Sequence, residues 1–148
     1  EKYMTIEEFG WWAGLIGGVC FMLIPLPMMV VTWLYVNKTP RKQRLIELGY
    51  GTNNDWYRGK KIDIVDANYI ISLSAVVSYG MRFRKNTLKK PVVLFSLAPN
   101  LHLHNNYDKL IDEFGFFVRW ETVKYLLIAF GATTLFIGMG IDKGWFHF

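Results

Sequence analysis

Twenty-nine consecutive residues between Glu8 and Lys38 contain no Asp, Glu, Lys or Arg. As a helix rising about 1.5 Å per residue, this run extends about 43 Å, more than the about 30 Å of a bilayer's hydrocarbon core. A second uncharged run of 17 residues separates Lys124 from Asp142. It reaches about 25 Å, enough only if its helix begins earlier. Aromatic residues bracket both runs. Trp11 and Trp12 stand about 32 Å of helix from Trp33, and Tyr125 about 30 Å from Trp145, the separation of two interfacial belts. These patterns predict two transmembrane helices, residues 9–36 and 125–141. Around them lie a short N-terminal segment 1–8, a lobe 37–105, an amphipathic stretch 106–124 and a short C-terminal segment 142–148. A cleavable signal peptide fits the first run badly. Such peptides open with basic residues and hold about 7–15 apolar ones, whereas Glu1, Glu7 and Glu8 precede this run.

The first helix has readable punctuation. Thr5 and Glu8 form a capping box, which starts the helix near Ile6, and Pro25 and Pro27 predict a kink. Gly10, Gly14 and Gly18 recur every four residues beside Ala13 and Gly17, a small-residue face along which another helix can pack closely. Before the second span, Asn105 or Asn106 can cap a helix whose Asp108, Asp112 and Glu113 suit its positive end. Tyr107, Leu110, Ile111, Phe114, Phe117 and Val118 recur there at helical spacing, so this amphipathic segment is expected to run straight into the membrane. Gly131 with Gly138, and Gly140 with Gly144, form a weaker packing stripe.

The net charge of +5 is unevenly placed. Residues 38–90 hold 12 Lys and Arg against 4 Asp and Glu, while the remainder holds 5 against 8. Lys38, Arg41, Lys42 and Arg44 directly follow the first helix, which puts the lobe on the cytoplasmic or matrix side and both termini opposite. The same four residues are candidates for binding anionic phospholipid headgroups such as cardiolipin, although a topology signal alone explains them equally well. Nucleic acid is not an expected partner, because the basic cluster adjoins a membrane anchor and no RNA- or DNA-binding motif accompanies it. Thr39, Pro40 and Gly49 mark the start and end of a short helix.

Within the lobe, alternate positions from Tyr69 to Phe83 are apolar, with Ser72, Ser74, Ser78, Gly80 and Arg82 between them. The uncharged run Ala67–Met81 is short for a membrane helix, so the alternation predicts a half-buried strand. Val93, Phe95 and Leu97 alternate likewise after the basic connection 84–90, completing a β-hairpin. The expected fold class is thus a membrane protein with two transmembrane α-helices and a small α+β lobe between them.

Chemical motifs are sparse. His102 and His104 share one face if their segment is extended and, with Asp108, are the metal-ligand candidates; surface histidines are the simpler reading. No catalytic residue and no cofactor is expected, since Walker, dinucleotide, nucleophile-elbow and paired-cysteine motifs are missing from the sequence. The spans as bounded above hold no ionisable carboxylate, Lys, Arg or His, which argues against an ion path. The glycosylation triplet Asn37-Lys38-Thr39 abuts the membrane on the predicted inner side and is expected to be unmodified.

Short, basic and aromatic-rich, with two spans and no catalytic motif, the chain resembles the accessory (supernumerary) subunits of mitochondrial respiratory-chain and ATP synthase complexes. That resemblance implies a non-catalytic part that stabilises or helps assemble such a complex. It implies membrane subunits of a large hetero-oligomer as partners, with the lobe in the matrix and both termini in the intermembrane space. Two alternatives stay open: a small membrane metal-binding factor or enzyme using His102, His104 and Asp108, and an oligomeric channel or translocase component self-associated through the glycine face.

Overall fold

A computed structural model describes residues 3–38, 40–51, 61–89 and 101–146. All regular structure among them is helical. We label α1 Ile6–Lys38, α2 Lys42–Tyr50, α3 Ile64–Asn86, α4 Leu101–Glu113 and α5 Gly115–Asp142.

Local chemistry sets the ends. The Thr5 hydroxyl accepts from the Glu8 N–H at 3.2 Å while the Glu8 carboxylate accepts from the Thr5 N–H at 3.0 Å, so α1 opens on the expected capping box. Inside α1 the turn Val19–Leu23 is a π turn, and the Ile24 N–H donates to Val19 O at 3.1 Å. It lies just before Pro25 and Pro27, which lack N–H groups and crowd the carbonyls four residues back; the wider turn is how the helix accommodates them. Asp63 caps α3 by accepting from the Asp66 N–H at 2.7 Å. Helix α2 ends at Gly51, whose φ of +91° favours glycine. Gly49, expected past the end, instead lies within α2 and is buried beside Ser74.

The chain forms two compact units, Glu1–Met28 with Val123–Phe148, and Met29–Thr122. In the first, the start of α1 runs antiparallel to the later part of α5, and glycines meet from both sides. A Cβ at Gly10 would lie 2.8 Å from Ile141 Cγ2, one at Gly17 2.8 Å from Leu135 Cα, one at Gly131 2.7 Å from the Cys20 carbonyl carbon, and one at Gly138 2.6 Å from Gly14 N. Three of these four neighbours are backbone atoms, so the two helices touch main chain to main chain. Ala13 is buried in the same seam. The second unit packs α2 and α3 against α4 around Ile46, Leu48, Ile71, Ala75, Tyr107 and Leu110, with Phe114, Phe117 and Val118 joining from the start of α5.

Three sequence expectations are corrected here. The α+β lobe is overturned: the predicted strand Tyr69–Phe83 is helical, part of α3, and no strand occurs among the described residues. The second predicted strand, around 93–97, lies outside the described residues. The alternation misled because its serines are not solvent-facing. Ser72, Ser74 and Ser78 are buried. Ser72 Oγ donates to Ala67 O at 2.9 Å and Ser78 Oγ to Ser74 O at 2.6 Å, both within the helix, so a serine counted as polar serves as a core residue.

The number of candidate spans also rises from two to three, because α1, α3 and α5 are each long and apolar enough to cross a membrane. Helix α3 is the distinctive one: 47% of its most apolar window is buried within the chain, against 17% for each of the others. Finally, the amphipathic stretch 106–124 is not one helix. Its first part belongs to α4, which begins at Leu101, and buried Phe114 separates it from α5, so the second apolar helix starts ten residues before the predicted span.

The seam generates a direct test. Gly131→Leu forces a side chain into the α1 backbone and is expected to destabilise the chain by at least about 1–3 kcal/mol. Gly18→Ala, at a position where a Cβ meets nothing within 4 Å, is expected to be neutral or to stabilise by about 0.5–1 kcal/mol through helix propensity. Thermal unfolding of both variants in detergent checks the contrast.

Candidate functional site

The chemically dense part of the molecule is a set of buried polar contacts in the unit Met29–Thr122. Thr32 of α1 donates its hydroxyl to a carboxylate oxygen of Glu121 on α5, and both residues are fully buried. Removing a carboxylate from water is costly unless it is hydrogen-bonded, so this contact constrains how α1 and α5 meet inside the unit. Lys124, which belongs to the other unit, is also buried. Neither Glu121 nor Lys124 is prominent in the sequence reading, which starts the second span after Lys124. For Glu121 a signal was present: positions 117, 118 and 121 follow helical spacing, so the core face marked by Phe117 and Val118 continues through it.

One turn after Thr32, Asn37 grips the chain ahead of α3. Its Nδ2 donates to Ile62 O at 2.7 Å and to Trp33 O at 3.0 Å, while its Oδ1 accepts from the Ile62 N–H at 2.8 Å. Trp33 Nε1 donates to the same Ile62 carbonyl at 2.8 Å. Further along, Asn68 Nδ2 donates to Met29 O at 3.1 Å and Ile64 O at 2.8 Å, tying α3 to the α1 backbone. Ser74 Oγ donates to the Tyr50 hydroxyl at 2.8 Å, joining α3 to α2, and burial holds the Tyr50 hydroxyl above its ordinary pKa.

Ion pairs fasten the outside of this unit. Arg82 of α3 donates from Nε to Asp108 Oδ1 at 2.9 Å and from Nη2 to Asp112 Oδ1 at 2.8 Å, and Lys85 Nζ lies 3.5 Å from Asp108 Oδ2. Arg44 of α2 forms a two-pronged pair with Glu113 of α4 at 3.0 and 3.1 Å. Hydrogen bonding to Arg44 holds the Glu113 carboxyl below its usual range, and the Arg44 guanidinium is raised in return.

The sequence-nominated residues fall as follows. Gly10 lies in the seam; Gly14 offers its backbone to Gly138, but a Cβ at Gly14 or Gly18 would face open space, while Gly17 fills the seam position. Lys38 and Arg41 are exposed, Lys42 is half-buried, and Arg44 is engaged by Glu113. His102 and His104 lie in the helical backbone of α4 rather than in an extended segment, and positions two apart on a helix are on nearly opposite sides of its axis. The Asp108 carboxylate is occupied by Arg82 and Lys85. Among the described residues no three His, Cys, Asp or Glu side chains gather as metal ligands. What these contacts accomplish is attachment: each joins one helix to another or to a connecting strand of backbone.

No protein-family model, curated protein or solved structure matches the chain.

Two tests follow from these contacts. Thr32→Val removes one donor from a buried carboxylate and is expected to lower stability by about 1–3 kcal/mol, whereas Glu121→Gln keeps an acceptor oxygen for Thr32 and is expected to cost less; denaturant unfolding in detergent reads the difference. The Arg44–Glu113 pair stabilises the fold above the ordinary carboxylate pKa, because the folded pKa is the lower of the two. Its contribution is therefore constant from neutral pH down to that range and is lost as pH falls through the lowered value. Comparing Arg44→Ala with the parent chain by pH-dependent melting is expected to show the gap closing only at acid pH.

Proposed function

We propose that the chain is a non-catalytic accessory subunit that stabilises or helps assemble a multi-subunit energy-transducing membrane complex of the mitochondrial inner membrane, either respiratory or ATP synthase. The observation that carries this reading is the double-faced character of α3. One side of that helix, through Ala67, Ile71, Ala75 and Met81, is buried in the chain's own core. The other side displays Val65, Tyr69, Leu73, Val77 and Phe83 to the outside, with Leu73 53% and Phe83 50% exposed. An apolar helix face normally packs against something, and here the chain covers only the opposite side of α3. Gly80, on the exposed side, has nothing within 4 Å of its Cβ position, which suits the close approach of a neighbouring subunit's helix.

The remaining chemistry is consistent with that role. Asn37, Asn68, Ser72, Ser78 and Thr32 direct their polar groups at the chain's own backbone or side chains. On this reading Lys38, Arg41 and Lys42 meet anionic headgroups such as cardiolipin on the matrix side, each contributing about 1 kcal/mol near the surface.

Native gel electrophoresis of gently solubilised membranes tests the proposal. The chain is expected to co-migrate with a large hetero-complex, and Leu73→Asp combined with Val77→Asp is expected to detach it while circular dichroism shows unchanged helix content. Recovery of a stable lone monomer from the parent chain overturns the reading, and a homo-oligomer would favour a channel instead.

A further inference from the structure

A groove of about 800 Å³ lies in the unit Glu1–Met28 with Val123–Phe148, where the start of α1 passes the end of α5. That volume is within the about 300–1,000 Å³ typical of small-molecule sites. It is lined by Gly10, Gly14 and Gly138 with Leu15, Leu135 and Met139; of the three glycines Gly14 borders open space, while Gly10 and Gly138 press against the facing helix. Two exposed carboxylates, Glu7 and Asp142, and the exposed Trp11 indole also line it. Both charged residues lining the groove are acidic. The helix start is partly occupied by its own side chains, because the Thr5 hydroxyl and Glu8 carboxylate take the Glu8 and Thr5 N–H groups.

From this arrangement we infer that the groove binds a zwitterionic phospholipid with an ammonium headgroup, one acyl chain lying over Gly14 beside Leu15 and Met139 and the ammonium held at the Glu7 and Asp142 carboxylates. The assignment rests on complementarity at both ends. The two carboxylates disfavour an anionic headgroup and favour a cation, and an exposed indole face adds cation–π attraction to an alkylammonium. Over Gly14, where a Cβ would meet nothing within 4 Å, there is room for a hydrocarbon chain, and the flexible thioether of Met139 can adapt to its shape. Tryptophan belongs at the headgroup level of a bilayer, which puts Trp11 at the height where an ammonium would sit. Gly14 is the informative position. Its backbone touches the Gly138 side of the seam, yet a Cβ there would meet nothing within 4 Å, so the space over it is the groove itself. The inference holds whether or not the chain belongs to a larger complex.

Native mass spectrometry of the full chain in detergent, titrated with dioleoyl phosphatidylethanolamine and dioleoyl phosphatidylglycerol, tests it. The parent chain is expected to retain one phosphatidylethanolamine about tenfold better than phosphatidylglycerol, about 1.4 kcal/mol. Glu7→Gln with Asp142→Asn is expected to erase that preference while leaving acyl-chain retention. Gly14→Leu, which fills the groove without entering the seam, is expected to abolish retention of both lipids without lowering the melting temperature. Equal or stronger retention of the anionic lipid by the parent chain overturns the inference, as does undiminished retention by Gly14→Leu. A photo-crosslinker placed at residue 14 in native membranes decides the remaining competitor: a lipid adduct supports the site, whereas a protein adduct assigns the groove to a partner's helix and overturns it.

Discussion

Polar groups in an apolar setting have no water to fall back on, and each must find its partner inside the protein. The unit Met29–Thr122 is organised by that requirement. Asn37 occupies both ends of its amide on Ile62 and Trp33, Asn68 reaches a carbonyl of α1, and Glu121 takes the hydroxyl of Thr32. None of these contacts need be strong individually; a typical net value is about 1 kcal/mol per hydrogen bond. Their importance lies in the cost of misplacement, since a shifted helix would leave several buried groups unsatisfied at once. The apolar core around Ile46, Ile71 and Leu110 supplies attraction without direction, and the polar contacts supply the register.

The unit formed by the two chain ends solves a different problem by different means. Apolar side chains gain little by leaving lipid for one another, so helices there must gain from close packing. Gly17, Gly131 and Gly138 provide it by removing the side chains that would hold the backbones apart. The seam follows positions 10, 13 and 17 of α1 rather than 10, 14 and 18, because a helix turns 100° per residue and the contact stripe drifts between three- and four-residue steps. Gly14, left out of the seam, thereby becomes available to border a groove.

Features written in local sequence were legible. Thr5 and Glu8 announced the start of α1, and the two long uncharged runs announced apolar helices. The lobe was not legible, because a periodicity rule assumes that serine faces water, and Ser72 and Ser78 instead bond their own helix. Metal-ligand reasoning about His102 and His104 depended on an extended backbone that α4 does not have. The contacts that matter most to the second unit, Thr32 with Glu121 and Asn37 with Ile62, join residues 89 and 25 positions apart. Nothing in a local window connects them.

The Asn37 clamp bears on how the chain's orientation in a membrane can be established. N-linked glycosylation attaches sugar to the side-chain amide nitrogen of the acceptor asparagine, and in Asn37 that nitrogen already donates to two carbonyls. A folded chain therefore presents a triplet that reads as an acceptor in sequence but whose reactive atom is engaged, whichever compartment it faces. For a chain that folds before a transferase reaches it, an unglycosylated Asn37 is compatible with either side of the bilayer, so absence of sugar on this residue does not by itself report topology.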